Sequence, residues 1–497
     1  MSKFKPLTGI LLLAVFVRLI GIDSRPIWYD EAFAILFSSK GPAAMLYGTL
    51  TTTGAGAADI HPLGYYILLW LWMEAFGQSI VVVRLLSFLA GILTIPLVYY
   101  LMRDLFSERA ALAATIFIAL SPFHVHYSQE IRMYSFLALW LALATLAFFR
   151  VTRTGRLKWW GMFMVSAVLA QYTHNLSAFY LLPLAAIPLI RRDWKNLRAI
   201  LHAGLGAILL YMPWLMQVPS QVAKISTAYW VERPGFDKLL TLLLVYVTNL
   251  PLPNTAVLFA GLFIALAVVS IGVIQTFRVG NRDENAIWLL YLAFMPPLFL
   301  FIFSQWIPVY IERALLPSGV IFYTWLAWSL FETRLPAIIR NGLLLLLFIG
   351  AGFGLYQHIT YRGFPYAPYR ELDASLRERI APGDIILHAS KATRLPMAYY
   401  DPDLPQEYLA DPAGSSIDTL ALATQEVLNL TAISDLASAT RDAERVWLIV
   451  LQTHTDAYKK LGYEDHPYLI KIAEQYRLEI VETWGDIQLH LFIRKTD

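Results

Sequence analysis

Pro26-Ile27-Trp28-Tyr29-Asp30-Glu31-Ala32-Phe33 places two adjacent carboxylates just past an apolar run, Leu7 to Ile22. The run is long enough for a membrane helix, and the rings of Trp28 and Tyr29 suit a membrane–water boundary. Carboxylates at the edge of a bilayer are costly unless they meet water, a metal or cations. Two readings of the pair stay open. Either residue can cap a helix N-terminus by satisfying free N–H groups and the helix dipole. Alternatively, the pair supplies a general base or a metal ligand. Lys3 and Lys5 before the run give it the look of a signal peptide. It lacks a small-residue cleavage site and leads straight into Asp30-Glu31, so it reads as a retained first helix.

The whole chain repeats this character. Of its 497 residues, 58% are hydrophobic and 15% charged, against about 25% charged in ordinary soluble domains. Apolar segments fall at 7–22, 62–77, 80–101, 109–123, 133–149, 159–173, 176–190, 199–218, 236–250, 254–277, 286–303, 314–331 and 337–360. The expected fold is therefore an all-α polytopic membrane protein with 11–13 spans. There is no cysteine, which excludes disulfides, thiol catalysis and cysteine metal sites. No basic patch with interleaved aromatics suits nucleic acid. No phosphate-binding glycine loop, Gly-x-Ser-x-Gly or His-Glu-x-x-His is present.

Basic residues orient the spans. If 62–77 and 236–250 lie in the membrane plane, the inner ends hold 16 Lys/Arg and the outer loops 7. If 62–77 spans instead, the clusters Arg150–Lys158 and Arg191–Arg198 fall outside, against the positive-inside bias. This predicts a cytoplasmic N-terminus in the cell (inner or plasma) membrane. Every polar loop of interest then lies on the outer side. From about Tyr361 the long apolar runs stop, which predicts a transmembrane domain at 1–361 and an extracytoplasmic α/β domain at 362–497. Strands are expected at 384–388, 446–451, 478–483 and 487–494, with helices at 416–439 and 467–475.

The densest polar stretch is Ser121-Pro122-Phe123-His124-Val125-His126-Tyr127-Ser128-Gln129-Glu130-Ile131-Arg132-Met133-Tyr134-Ser135. On a continuous helix Tyr127, Glu130 and Tyr134 share a face, with Ser128 and Arg132 on the next stripe. Glu130 and Arg132 diverge on such a helix, so each needs a partner elsewhere. His61, in His61-Pro62-Leu63-Gly64, is either structural or a ligand. Arg84 and Arg313 either snorkel or serve an anion.

In order and spacing these motifs resemble the lipid-linked-sugar glycosyltransferases of the GT-C fold. They are Asp30-Glu31, His61-Pro62-Leu63, Arg84-Leu85-Leu86-Ser87-Phe88-Leu89-Ala90-Gly91, Ser121 to Tyr134, Gln171-Tyr172-Thr173-His174-Asn175 and Glu312-Arg313-Ala314-Leu315-Leu316-Pro317. Within that fold the chain is similar, over roughly residues 7–330, to the bacterial relatives of protein O-mannosyltransferases and aminoarabinose transferases. The resemblance implies a membrane glycosyltransferase that moves a hexose or pentose from a polyprenyl-phosphate donor to a protein, lipid or glycan acceptor, usually with inversion. By position it gives Asp30 the role of base, Glu31 that of its companion, and Glu130 a place near the second acidic position. Arg132, Arg84, Arg313 and His61 are its candidates for the donor phosphate. His126, Tyr127, Tyr134 and His174 then line the substrate cavity. A divalent metal on Asp30 and Glu130 is left open. The main competing reading is a transporter or flippase of a lipid-linked saccharide, which would also need cations and carboxylates in a membrane cavity.

Overall fold

The computed structural model describes residues 5–51, 59–227, 231–278, 280, 282–412, 419–441 and 443–495. The membrane part begins with α1 Lys5–Leu19, then α2 Tyr29–Ser38, α3 Gly41–Leu50, α4 Gly64–Phe76, α5 Ile80–Leu105 and α6 Glu108–Leu120. It continues with α7 Pro122–Ser128, α8 Tyr134–Thr154, α9 Leu157–Thr173, α10 Ala178–Ile190, α11 Trp194–Leu215 and α12 Val218–Thr227. It closes with α13 Asp237–Val247, α14 Thr255–Phe277, α15 Glu284–Phe303, α16 Leu316–Phe331 and α17 Ala337–Thr360. Among the described residues, seven helices are long and apolar enough to cross a bilayer, or eight if α6 and α7 count as one bent span. This makes the chain a multi-pass membrane protein. The remaining expected spans are shorter: α1 has 15 residues, α9 has 17 and α10 has 13.

α4 has 13 residues and α13 has 11, which is about 16–20 Å of helix against roughly 30 Å of hydrocarbon. The indole N–H of Trp72 in α4 donates to Val82 O at 2.8 Å, tying the end of α4 to the first turn of α5. Among the loops that the charge bias assigns to the inner side, Arg150 pairs with Asp104 at 2.6 Å and Arg191 with Glu284 at 2.9 Å.

The polar stretch 121–135 is not one helix. Ser121 caps α7, its Oγ accepting the His124 N–H at 3.3 Å, and Pro122 sits in the first turn, where its missing N–H costs nothing. The axis bends by 59° between α6 and α7. Residues 129–133 then form a tight turn before α8. The shared helical face expected for Tyr127, Glu130 and Tyr134 is thus replaced by a break. The Gln129 amide explains part of this, because it donates to Arg18 O at 2.7 Å and Ile20 O at 2.9 Å. Tertiary partners outweigh local periodicity here.

After α17 the chain builds α18 Tyr369–Arg379, β1 Ile385–His388, α19 Lys391–Tyr400, β2 Gln406–Leu409, α20 Leu422–Leu428 and β3 Ala432–Ile433. It then adds α21 Leu436–Thr440, β4 Arg445–Leu451, α22 Gln452–Lys460, α23 Pro467–Gln475, β5 Tyr476–Trp484 and β6 Ile487–Arg494. The sheet has six strands in the order β3-β2-β1-β4-β6-β5. The first four strands are parallel, and β6 runs antiparallel to β4 and β5. Val446, Leu448 and Val450 of β4 face one core, and Trp447, Ile449 and Leu451 the other, so the central strand is covered on both sides. The single helix expected at 416–439 is instead α20, β3 and α21, with residues 416–418 outside the described set. Asn429, in the left-handed region at φ 58°, ends α20 and makes that division.

This sheet domain rests on the first loop of the membrane part. The Ile27 N–H donates to Tyr400 Oη at 2.9 Å, Tyr47 Oη to Glu426 Oε2 at 2.7 Å and Thr424 Oγ1 to Gly48 O at 2.9 Å.

Candidate active site

Asp30 and Glu31 lie in the first turn of α2, where carboxylates favour the positive end of the helix dipole. Successive helical residues point about 100° apart, and the two side chains part company. Glu31 is fully buried and takes Arg84 bidentately, Nε–Oε1 at 3.2 Å and Nη2–Oε2 at 3.0 Å. Its Oε1 also accepts the Ile131 N–H at 3.1 Å. The third arm of Arg84, Nη1, donates to Ile22 O at 2.8 Å. Glu31 and Arg84 are thus a brace joining α2, the start of α5 and the 129–133 turn. This corrects two expectations. Arg84 spends its guanidinium on Glu31 and a carbonyl rather than on a phosphate, and Glu31 has no face left for chemistry.

Asp30 points the other way and keeps 14% of its side chain exposed. Its Oδ2 lies 2.8 Å from Arg313 Nη1 and 3.8 Å from Arg132 Nε. Burial pushes the Asp30 carboxyl up, but Arg132 and Arg313 outweigh that and hold it below its ordinary value. Asp30 is therefore a carboxylate at neutral pH. Arg132 also donates from Nη1 to Tyr66 Oη at 3.2 Å, while its buried Nε makes no hydrogen bond. Arg313 lies over the rings of Tyr134 (5.3 Å) and Trp28 (5.8 Å).

Glu130 sits beside this group. Its Oε1 accepts the Trp28 indole N–H at 3.0 Å, and its Oε2 is buried without a partner. Burial and the nearby Glu31 charge push its carboxyl up to about 7. Tyr134 Oη is likewise buried and unpaired. Three polar atoms without a hydrogen bond thus lie near Asp30: Glu130 Oε2, Tyr134 Oη and Arg132 Nε, the last held to Asp30 only by the 3.8 Å ion pair. Buried polar atoms are normally paired with protein groups, ordered water or a ligand.

The aromatic wall runs onward from Tyr127 to Tyr134 (5.1 Å between centroids), from Tyr134 to His174 (5.9 Å) and from His174 to His61 (5.0 Å). His174 Nδ1 accepts the Leu176 N–H at 3.1 Å. His61 Nδ1 meets Asp59 Oδ1 at 2.5 Å. Burial pushes Asp59 up, but His61 and Arg132 outweigh it and hold the carboxyl down to about 2. Asp59 and Tyr66 escaped the sequence reading. The signal for Asp59 was its place two residues before His61. His126 turns away from Asp30 and joins Arg25, His358 and Tyr366 in a separate cluster.

A metal ion does not fit Asp30 and Glu130. The Asp30 oxygen that faces the site is taken by two guanidinium groups, which would repel a cation. One Glu130 oxygen is held by an indole N–H. Among the described residues, no group of three or more His, Asp or Glu side chains is set to hold a metal.

Residues 60–216 match the family described as dolichyl-phosphate-mannose-protein mannosyltransferase. That segment carries His61, Arg84, Glu130, Arg132 and His174, but not Asp30 or Arg313. YkcB of Bacillus subtilis (strain 168), whose name describes it as a mannosyltransferase, is 26% identical over 232 residues. The match covers 44% of this chain and spans 32% of the length of that relative. ArnT from Cupriavidus metallidurans in the apo state has the same fold over 99% of this chain and 98% of its own, with TM-score 0.66 and 12% identity. ArnT bound to undecaprenyl phosphate gives TM-score 0.64 at 13% identity over the same shares. The apo oligosaccharyltransferase of Archaeoglobus fulgidus gives 0.52 at 13% identity over 99% of this chain and 75% of its own. The chain is thus a multi-pass membrane protein with the GT-C glycosyltransferase fold, and its residues 60–216 carry the dolichyl-phosphate-mannose-protein mannosyltransferase family pattern.

Proposed function

We propose that this protein transfers a sugar from a polyprenyl-phosphate carrier to an acceptor hydroxyl, at the extracytoplasmic edge of the membrane. The observation that carries the reading is Asp30, a partly exposed carboxylate between Arg132 and Arg313, with three polar atoms that make no hydrogen bond nearby. The undecaprenyl phosphate bound by ArnT, whose fold this chain shares, supports the choice of donor.

The chemistry follows from the geometry. An acceptor O–H is a poor nucleophile until a positioned base takes its proton in the transition state. The acceptor oxygen bonds to the anomeric carbon, the bond from that carbon to the phosphate oxygen breaks, and the proton passes to Asp30. The lipid phosphate leaves with an added charge, which Arg132 and Arg313 neutralise in a low-dielectric site. Their forked donors suit phosphate. The two arginines also tune the base. With no phosphate bound they hold the proton affinity of Asp30 low. A phosphate that takes up their donors relieves that pull, so the base strengthens when the donor is in place.

The expected test is sugar transfer in membranes supplied with a polyprenyl-phosphate sugar. Asp30→Asn should lower the rate by about 10²–10⁴-fold, with an unchanged amount of folded protein. Transfer at the wild-type rate would remove Asp30 from the base role. A flippase would move the same donor without consuming it, and would not need its polar groups gathered at one end of the bundle.

A further inference from the structure

We infer that the cleft between the membrane part and the sheet domain, walled by Asp23, Arg370 and Asp373, holds the head of a phospholipid that bears a primary ammonium. The cleft measures about 510 Å³, within the roughly 300–1,000 Å³ of small-ligand sites. One wall is Asp23, in the turn after α1, with residues 79–81 at the start of α5. The other wall is Arg370 and Asp373 of α18 with Tyr399 and Tyr400 of α19. None of the residues around Asp30 lines it.

The two tyrosines are pinned to the membrane part. Tyr399 Oη donates to Gln78 O at 3.3 Å, and Tyr400 Oη accepts the Ile27 N–H at 2.9 Å. Their rings meet at 5.3 Å, and the Arg370 guanidinium lies over the Tyr400 ring at 5.5 Å. The charges then decide what fits. Asp23 and Arg370 are both exposed, and neither forms an ion pair among the described residues. Burial and the nearby Asp401 push Asp373 up to about 6, so it is still mostly a carboxylate at neutral pH. One cation and two carboxylates thus face the same space. An anionic head would meet both carboxylates, and an uncharged head would leave Arg370 and Asp23 unanswered. A zwitterion answers both signs, its phosphate taking the Arg370 donors and its ammonium the carboxylates, through charge-assisted hydrogen bonds. A quaternary ammonium has no N–H to donate, which selects the primary amine.

The surfaces below the cleft supply the rest of such a ligand. Val81, Leu85, Leu89 and Leu93 recur at four-residue steps and so share one face of α5. Val81, Leu89 and Leu93 are exposed and Leu85 is half-buried. On α1, Leu12, Phe16 and Ile20 form the same kind of exposed stripe. Each stripe ends at the cleft, that of α5 at Val81 within it and that of α1 three residues before Asp23. In a bilayer these faces meet acyl chains. A phospholipid whose tails lie along them brings its head into the cleft, in the leaflet on the sheet-domain side.

The test is native mass spectrometry of the full chain, purified in detergent and titrated with dioleoyl phosphatidylethanolamine, phosphatidylcholine or phosphatidylglycerol. The wild type should bind its first ethanolamine lipid about fivefold more tightly than either of the others. Asp23→Asn and Arg370→Gln should each remove that preference, while Asp23→Glu and Arg370→Lys, which keep the charges, should keep it. Asp23→Lys should reverse it, with phosphatidylglycerol bound most tightly. Equal retention of the three lipids by the wild type would overturn the proposal, as would a wild-type preference for the choline or the glycerol lipid. So would an ethanolamine preference that survives Asp23→Asn, Arg370→Gln or Asp23→Lys. Sugar transfer is not the readout, so the result stands whether or not the proposed reaction does.

Discussion

Glu31 has both carboxylate oxygens committed, to Arg84 and to the Ile131 N–H, while Asp30 one position earlier faces the site. The two should respond differently to the same change. Glu31→Gln leaves the Arg84 cation buried without its partner, which costs about 3–5 kcal/mol. Its expected signature is a large fall in Tm and in folded yield, with any residual transfer tracking the folded fraction. Asp30→Asn should lose transfer without that fall. Glu130 gives a prediction with a sign. Its carboxyl has an ordinary value of 4.5 and is pushed up to about 7 in the folded protein. Between those values the folded state holds more protons than the unfolded one, so this residue makes stability decline as pH rises from about 4.5 to 7, with no further decline above. Glu130→Gln should flatten that decline, and its advantage over the wild type should be greatest above pH 7. Unfolding measured across pH 5–8 for both proteins reads it. An equal slope in the two would mean that Glu130 ionises normally.

At the scale of elements, the sequence shows its helices well and its junctions poorly. Apolar length exposed the spans; His61-Pro62 before 62–77 and the short length of 236–250 marked the two segments that became the short helices α4 and α13, and charge bias kept 62–77 out of the count of spans. Asp30, Arg132 and Arg313 could be nominated because charges at helix ends are rare enough to notice. What periodicity could not show was the break at 129–133, which the Gln129 contacts with the α1 end and the Glu31 carboxylate hold in place. That break sends His126 toward Arg25 and leaves Glu130 and Arg132 toward Asp30. The pairing of Glu31 with Arg84 was equally hidden, because residues 53 positions apart leave no local trace. One close approach sets the aromatic wall. A Cβ on Gly64, at the start of α4, would lie 2.5 Å from Tyr172 O, in backbone that cannot yield as a side chain can. Gly64→Ala should push α4 off the end of α9 and separate His61 from His174. The expected cost is about 1–3 kcal/mol, read as a lower Tm, together with weaker donor binding. An alanine variant with unchanged Tm would show that α4 is free to shift.

At the scale of the molecule, the sheet domain holds the helix that carries Asp30. Tyr400 fixes the strand entering α2, and α20 docks on α3 through Thr424 and Glu426. A domain seated there has two physical uses. It can clamp α2 so that Asp30 keeps its distance from Arg132 and Arg313, or it can lift away to admit an acceptor. The contacts favour the clamp, because the Ile27 bond lies three residues from Asp30 and the Trp28 ring next to it meets Tyr366 of the linker at 6.2 Å. The chain has no cysteine, so a designed disulfide can decide without background. A Cβ on Gly48 would lie 3.2 Å from Val427 Cγ2, which puts the two side-chain positions within disulfide reach. The double variant Gly48→Cys with Val427→Cys should cross-link under mild oxidation, seen as a faster-migrating band that dithiothreitol reverses. Sugar transfer by the oxidised protein should stay within about twofold of the reduced protein if the docked arrangement is the working one, since each 1.4 kcal/mol of lost transition-state stabilisation would already cost tenfold. A loss of transfer that reduction restores would mean that the domain has to leave α2 during turnover, and Asp30 would then be held in place by Arg132 and Arg313 alone.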